Sequence, residues 1–296
     1  MKKLAIILII AAVCLPLFAA AATEEAATTA AVDYSAMSLD QLKAAITTKT
    51  QGVLTVATSP DFAPYEFYSI AEDGTPSLAG FDMSLAKYIA DYLGLKLDVI
   101  PMDFDGTIME VQKKNVDLGM AGYSPAPERA EVMEFSIIYY TGGQSFVTTK
   151  ANAEKFKTLA DTNNKAYTIA AQTGSIQMGL AEENSPNADI IALVKVTDII
   201  AELLAGKITG AYIETVVAES YQKNYPDLEI VLPVPYEEEG SVVGVAKGNL
   251  ALLEGVNRAI KAALEDGSMA AFVAEANEKA TGNILEGLLP EPEKKD

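Results

Sequence analysis

Apolar and polar positions follow three successive patterns along the chain. Residues 4–18 are almost uninterrupted apolar side chains, preceded by Lys2 and Lys3 and followed by the small residues 19–22. A basic start, a short apolar core and a small-residue exit are the parts of a secretory signal peptide. The run falls short of the roughly 20 residues that a membrane-spanning helix needs. Residues 1–22 are therefore expected to be removed on export. Residues 23–34, rich in Ala, Thr and Glu, show no period and read as a linker; with a short helix that Ser38 can cap, they fill 23–50. From residue 53 onward, short apolar runs alternate with stretches of helical period.

The runs at 53–57, 95–99, 117–121, 167–171, 211–213 and 242–246 read as strands. Between the first two, Phe81, Leu85, Ile89 and Leu93 recur at every fourth position, which stacks them on one face of a helix. Asp82 can cap that helix and Gly94 can end it. Asp103 or Asp105 starts another helix, Gly174 and Ser175 open a third, and Asp198 caps a fourth over 199–205. A helix follows from Thr215, and Asn249 caps a long one to Asp266. Strand and helix in alternation predict an α/β fold with mixed sheets and flanking helices. The stretches 145–150 and 233–240 separate two such units and read as crossings between lobes. One lobe is then discontinuous, 51–146 plus 238–285, the other is 147–237, and 286–296 is a charged tail. Two connections favour hinge motion between lobes.

Composition narrows the functions available. The 296 residues are 50% hydrophobic, enough for two cores of ordinary size. A formal net charge of −19 leaves no basic surface for nucleic acid. There is no histidine, which excludes Ser-His-Asp triads and His-ligated zinc. No cofactor or metal is expected, and any catalysis would have to run on carboxylates, Lys, Tyr or a bound metal. The single cysteine, Cys14, lies in the signal run; Val13 before it disfavours lipidation.

The candidate chemistry is recognition of a zwitterion. Arg129 can grip a carboxylate with two parallel hydrogen bonds, which lysine cannot do, and sits just inside a helix expected to open at Pro127 from that residue's preference for the first position. Alternatively it pairs with Glu128 or Glu131 at the surface. Ser175 and Ile176 open a helix whose backbone N–H groups can complete an anion site, and Ser175 can simply be its N-cap. Glu214, where the strand 211–213 gives way to a helix, can hold an ammonium group or only favour the helix start. Ser124 offers a hydroxyl, and Gly122 or Ser124 a carbonyl, to the same ammonium.

The order of the motifs 59–67 (SPDFAPYEF), 80–86 (GFDMSLA), 102–106 (MDFDG), 117–122 (DLGMAG), 127–129 (PER), 135–136, 139–140 and 247–249 (KGN) resembles extracytoplasmic solute-binding protein family 3, the polar amino-acid receptors of ABC transporters. The resemblance implies a two-lobed periplasmic-binding-protein fold of type II, a monomer that hands an amino acid to a membrane permease. It gives Arg129 the ligand carboxylate, helped by the Ala126 N–H, and places Phe62 and Phe104 as an aromatic sandwich, although either can be plain core. Ser59 stands where relatives with cationic ligands carry aspartate, which favours a neutral polar ligand; Asp61 nearby can compensate. The chain departs from the family pattern at Ala126, where a hydroxyl residue is usual, at Ser175 and Ile176, where two threonines are usual, and at Glu214, where aspartate is usual. The same fold houses cyclohexadienyl dehydratases, so Glu214 as a buried acid is the enzymatic alternative, and a ligand-sensing module is another.

Overall fold

The computed structural model describes residues 32–70, 74–237 and 240–281. The signal peptide with Cys14, nearly all of the linker and the charged tail lie outside them. Ser38 caps α1 (Leu39–Ala45) through a capping box with Gln41. β1 (Val53–Thr58) leads to three short strands, β2 (Asp61–Phe62), β3 (Glu66–Ile70) and β4 (Pro76–Ala79), which form a small antiparallel sheet. α2 (Phe81–Leu93) buries the expected stripe of Phe81, Leu85, Ile89 and Leu93. Gly94 ends it in the left-handed conformation, but its N-cap is Gly80; Asp82 lies inside the helix and is buried.

β5 (Lys96–Pro101), α3 (Phe104–Gln112), β6 (Leu118–Tyr123), the one-turn α4 (Pro127–Ala130) and β7 (Met133–Phe135) complete the first pass through this half. The chain then enters the second half with β8 (Gln144–Thr149), β9 (Thr168–Gln172), α5 (Ile176–Asn184), β10 (Asp189–Leu193), α6 (Val196–Leu204), β11 (Gly210–Glu214), α7 (Thr215–Asn224) and β12 (Leu228–Val234). It returns with β13 (Val242–Ala246), α8 (Leu250–Glu265), capped by Asn249, and α9 (Ser268–Lys279).

Two five-stranded sheets result, in the orders β5-β1-β6-β13-β7 and β10-β9-β11-β8-β12. In each, the first three strands are parallel and the later ones antiparallel. The first sheet takes β13 from the far end of the chain, after the second sheet is complete.

The first crossing lies elsewhere than the sequence suggested. Residues 144–149 are β8, a central strand of the second sheet buried over five of its six positions. The chain passes between sheets over 136–143 instead. On the return, 233–234 still belong to β12, and the passage follows them. Both passages are held to each other: Tyr140 and Ser241 form an antiparallel bridge, with the Ser241 N–H donating to Tyr140 at 2.7 Å. Paired connections of this kind permit bending while restraining twist. α6 also begins earlier than predicted, at Val196, which leaves Asp198 within the first turn.

Candidate ligand-binding cleft

The candidate residues gather at the carboxyl ends of β1 and β6 in one sheet and of β9 and β11 in the other. In open α/β sheets, loops and helix N-termini converge there and leave room for a ligand. Ser59 and Asp61 follow β1, Ser124 follows β6, Phe104 opens α3, Ser175 and Ile176 open α5, and Glu214 ends β11.

Arg129 is buried, whereas Glu128 and Glu131 are exposed, so its side chain turns inward rather than to the surface. Pro127 occupies the first position of α4, as its fixed φ favours. The guanidinium donates to the Ser124 carbonyl at 3.2 Å and to the Gly174 carbonyl, across the cleft, at 3.1 Å. Its central carbon lies 5.4 Å from the Phe104 ring centre and 5.8 Å from that of Tyr123. Two aromatic faces therefore support the positive charge.

Two backbone amides expected to help with a carboxylate are engaged locally. The Ala126 N–H donates to Ser124 at 2.8 Å and the Ser175 N–H to Gln172 at 3.2 Å. That of Ile176, first residue of α5, has no acceptor within its own helix by helix geometry. Ser175 itself is the N-cap of α5, accepting from Met178 at 3.3 Å.

Glu214 is buried and caps α7, accepting from the Val217 N–H at 3.0 Å. Its other oxygen is 3.4 Å from the Tyr65 hydroxyl, which in turn is 3.0 Å from Ser241 Oγ. Burial pushes its pKa up to about 7, against hydrogen bonds that pull it down. Gly142 faces this carboxyl so closely that a Cβ there would lie 1.9 Å from Oε1, far inside contact distance. Gly122 has φ +59 and would put a Cβ 2.9 Å from Phe62 Cε1, so the aromatic ring can pack on the main chain only because no side chain intervenes. Phe62 in turn lies 5.4 Å from Tyr65, centre to centre, which links it to the Glu214 side of the cleft.

Asp61 is buried, and its carboxylate is already well supplied with donors. Ser59 Oγ donates at 2.7 Å, Gln172 Nε2 at 3.1 Å and the Val196 N–H at 2.6 Å. Burial nevertheless holds its pKa at about 6. The negative charge missing at Ser59 is thus present two residues on, hydrogen-bonded to Ser59 itself. Among the described residues, the buried charged side chains are Arg129 and five acids, Asp61, Glu66, Asp82, Asp117 and Glu214. Asp117 is bound by Thr55 and the Lys49 N–H, away from the cleft.

Several contributors were not anticipated. Tyr65 reaches Glu214, Gln172 and Val196 reach Asp61, and Gly142 faces Glu214. None follows from local pattern, because each contact joins residues far apart in the chain. Tyr212 packs in the second lobe, its hydroxyl bonded to Thr162 and Ser185. No group of three or more acids, His or Cys among the described residues could hold a metal ion. No helix among them is long and apolar enough to cross a membrane.

Comparison with known proteins agrees with this architecture. The family model for bacterial extracellular solute-binding proteins, family 3, matches residues 54–276. The arginine-binding extracellular protein ArtP of Bacillus subtilis is 33% identical over 220 residues, 73% of this chain and 82% of ArtP. A cyclohexadienyl dehydratase of Pseudomonas aeruginosa is 28% identical over 182 residues, 62% of this chain and 66% of the enzyme. The solved structure of an amino acid ABC transporter substrate-binding protein from Streptococcus pneumoniae, bound to L-arginine, aligns with a TM-score of 0.73 at 33% identity, covering 81% of this chain and 97% of that one. The fold is the two-lobed, type II periplasmic-binding-protein fold.

Proposed function

Because the chain belongs to family 3 of the bacterial extracellular solute-binding proteins, we propose that it captures a free amino acid with a cationic side chain, of arginine's kind, and delivers it to an ABC-transporter permease. The observation that carries the ligand class is the charge balance of the cleft: Asp61 and Glu214 are buried there against Arg129, the single buried cation among the described residues. A zwitterion would leave one of the two acids either uncompensated or protonated, with only half-buried Lys195 beside Asp61. An amino acid of net charge +1 balances the set. The neutral ligand favoured by Ser59 alone gives way to this reading because Asp61 carries the charge.

In this account Arg129 takes the α-carboxylate, exchanging carbonyl partners for it, with the Ile176 N–H on the facing helix. Glu214, with a carbonyl of Gly122 or Ser124, takes the ammonium group. The apolar stem lies between Phe62 and Phe104, and the distal cation points toward Asp61. Because these groups belong to both lobes, ligand stabilises the closed form over the open one. The protein acts as a monomer, exported by its N-terminal signal peptide, and its closed form docks on the permease.

Calorimetry with L-arginine, L-lysine, L-glutamine and L-cystine tests this. Arginine should bind at micromolar affinity or tighter and glutamine more weakly. Equal or tighter binding of glutamine would overturn the ligand class, and no binding by any of the free amino acids would overturn the function. Glu214 could also serve a dehydratase as its acid, and an assay on prephenate and arogenate should give no turnover.

A further inference from the structure

Helix α6 starts without a cap of its own. Lys195 stands at the N-cap position and makes no side-chain hydrogen bond to the helix. A helix start normally takes Ser, Thr, Asp or Asn there, because the first-turn N–H groups have no acceptor within the helix. Here the acceptor comes from the opposite lobe. Asp61, in β2, accepts from the Val196 N–H at 2.6 Å, and Val196 is the first residue of α6. Gln172, ending β9, donates to the same oxygen at 3.1 Å. Tyr221, on α7, donates to the Asp61 carbonyl at 3.0 Å. Three donors of the second lobe thus converge on one buried residue of the first, while Ser59 fixes the other carboxylate oxygen. Separating the lobes breaks all three bonds together and leaves α6 uncapped.

We propose that Asp61 is a closure latch, capping α6 from the facing lobe so that the closed form is favoured by the protein's own groups as well as by ligand. The latch deepens the capture reading above and is separable from it, since it acts in the ligand-free protein. It also divides two functions of one side chain: a cap needs only an acceptor oxygen, whereas attraction of a ligand cation needs the charge.

The test measures the distance between lobes without ligand. Spin labels on cysteines introduced at Met109 of α3 and Leu204 of α6, both exposed, with Cys14 replaced by serine, report the open and closed populations by pulsed electron resonance. Asp61→Ala should move the closed-to-open ratio toward open by about tenfold, the size of a lost helix cap. Asp61→Asn should leave the ratio near wild type, since asparagine caps as well as aspartate does. Val196→Pro removes the donated N–H and keeps the Asp61 charge. Proline suits the first helical position, and Lys195, at φ −121 and ψ 141, has the extended backbone that a following proline requires. It should open the protein as Asp61→Ala does, and melting curves verify that each variant is folded.

Unchanged distances in both Asp61→Ala and Val196→Pro would overturn the latch, even if arginine binds. A shift in both variants, with no response of the wild type to any amino acid, would leave the latch standing and overturn the capture reading. Should Asp61→Ala not fold, Val196→Pro decides alone.

Discussion

Binding of a cationic amino acid should expel protons from the cleft below neutral pH. Burial raises Asp61 to about 6 and Glu214 to about 7, so the ligand-free cleft holds protons that a bound cation drives off. At pH 6 Asp61 is about half protonated and Glu214 about nine-tenths, so binding should release roughly 1.4 protons. The doubly ionised form is about 0.05 of the population at pH 6 and about 0.9 at pH 8, which makes the apparent Kd for arginine about 20-fold tighter at pH 8. Affinity should climb from pH 5 through pH 7 and level off above about pH 8. Calorimetry at pH 6 in buffers of differing ionisation enthalpy counts the protons directly. A Kd that stays flat between pH 6 and pH 8, with no proton release, would refute the claim that these two acids face the ligand.

Arg129→Lys should weaken arginine binding by at least about 30-fold, because lysine keeps the charge and loses the paired hydrogen bonds, and calorimetry at pH 8 measures it. Gly142→Ala should weaken binding about tenfold or more by pushing the Glu214 carboxyl aside, whereas Gly179→Ala, with open space around it, should not; equal effects would contradict the placement of Glu214. Glu214→Gln should change how ligand-free stability depends on pH. A carboxyl raised in the folded state contributes its stabilisation below its unfolded value of about 4.5 and loses it as pH rises through about 7. Between pH 4.5 and pH 8 the wild type should lose up to about 3 kcal/mol relative to the variant in urea unfolding, and a gain instead would reverse the assignment.

The parts of the fold that were legible in the sequence are those whose determinants lie close together in the chain. The stripe on α2, its Gly94 stop, the Ser38, Ser175 and Asn249 caps and the strand Val242–Ala246 each follow from a few neighbouring residues. α6 shows the converse. Asp198 offered a local cap and therefore a late start, but Asp61 supplies the acceptor from 135 positions away and lets the helix begin at Val196. The first crossing was misplaced because β8 opens with Gln144 and Ser145 and closes with Thr148 and Thr149, a loop-like composition, yet it is buried between β11 and β12. α9 was not foreseen: Gly267, at φ +82, starts it in place of a recognisable capping side chain. At the cleft, residue types proposed Arg129, Glu214 and Asp61. Their burial, and the partners Tyr65, Gln172 and Gly142, became visible only when the two sheets faced each other.

The most direct measurement is a crystal structure of the exported protein grown with L-arginine. The account predicts one arginine between the lobes, its carboxylate on the Arg129 guanidinium, its ammonium group at Glu214 and its side chain passing Phe62 and Phe104 toward Asp61. An arginine bound outside the cleft, or one within it whose carboxylate turns away from Arg129, would contradict it.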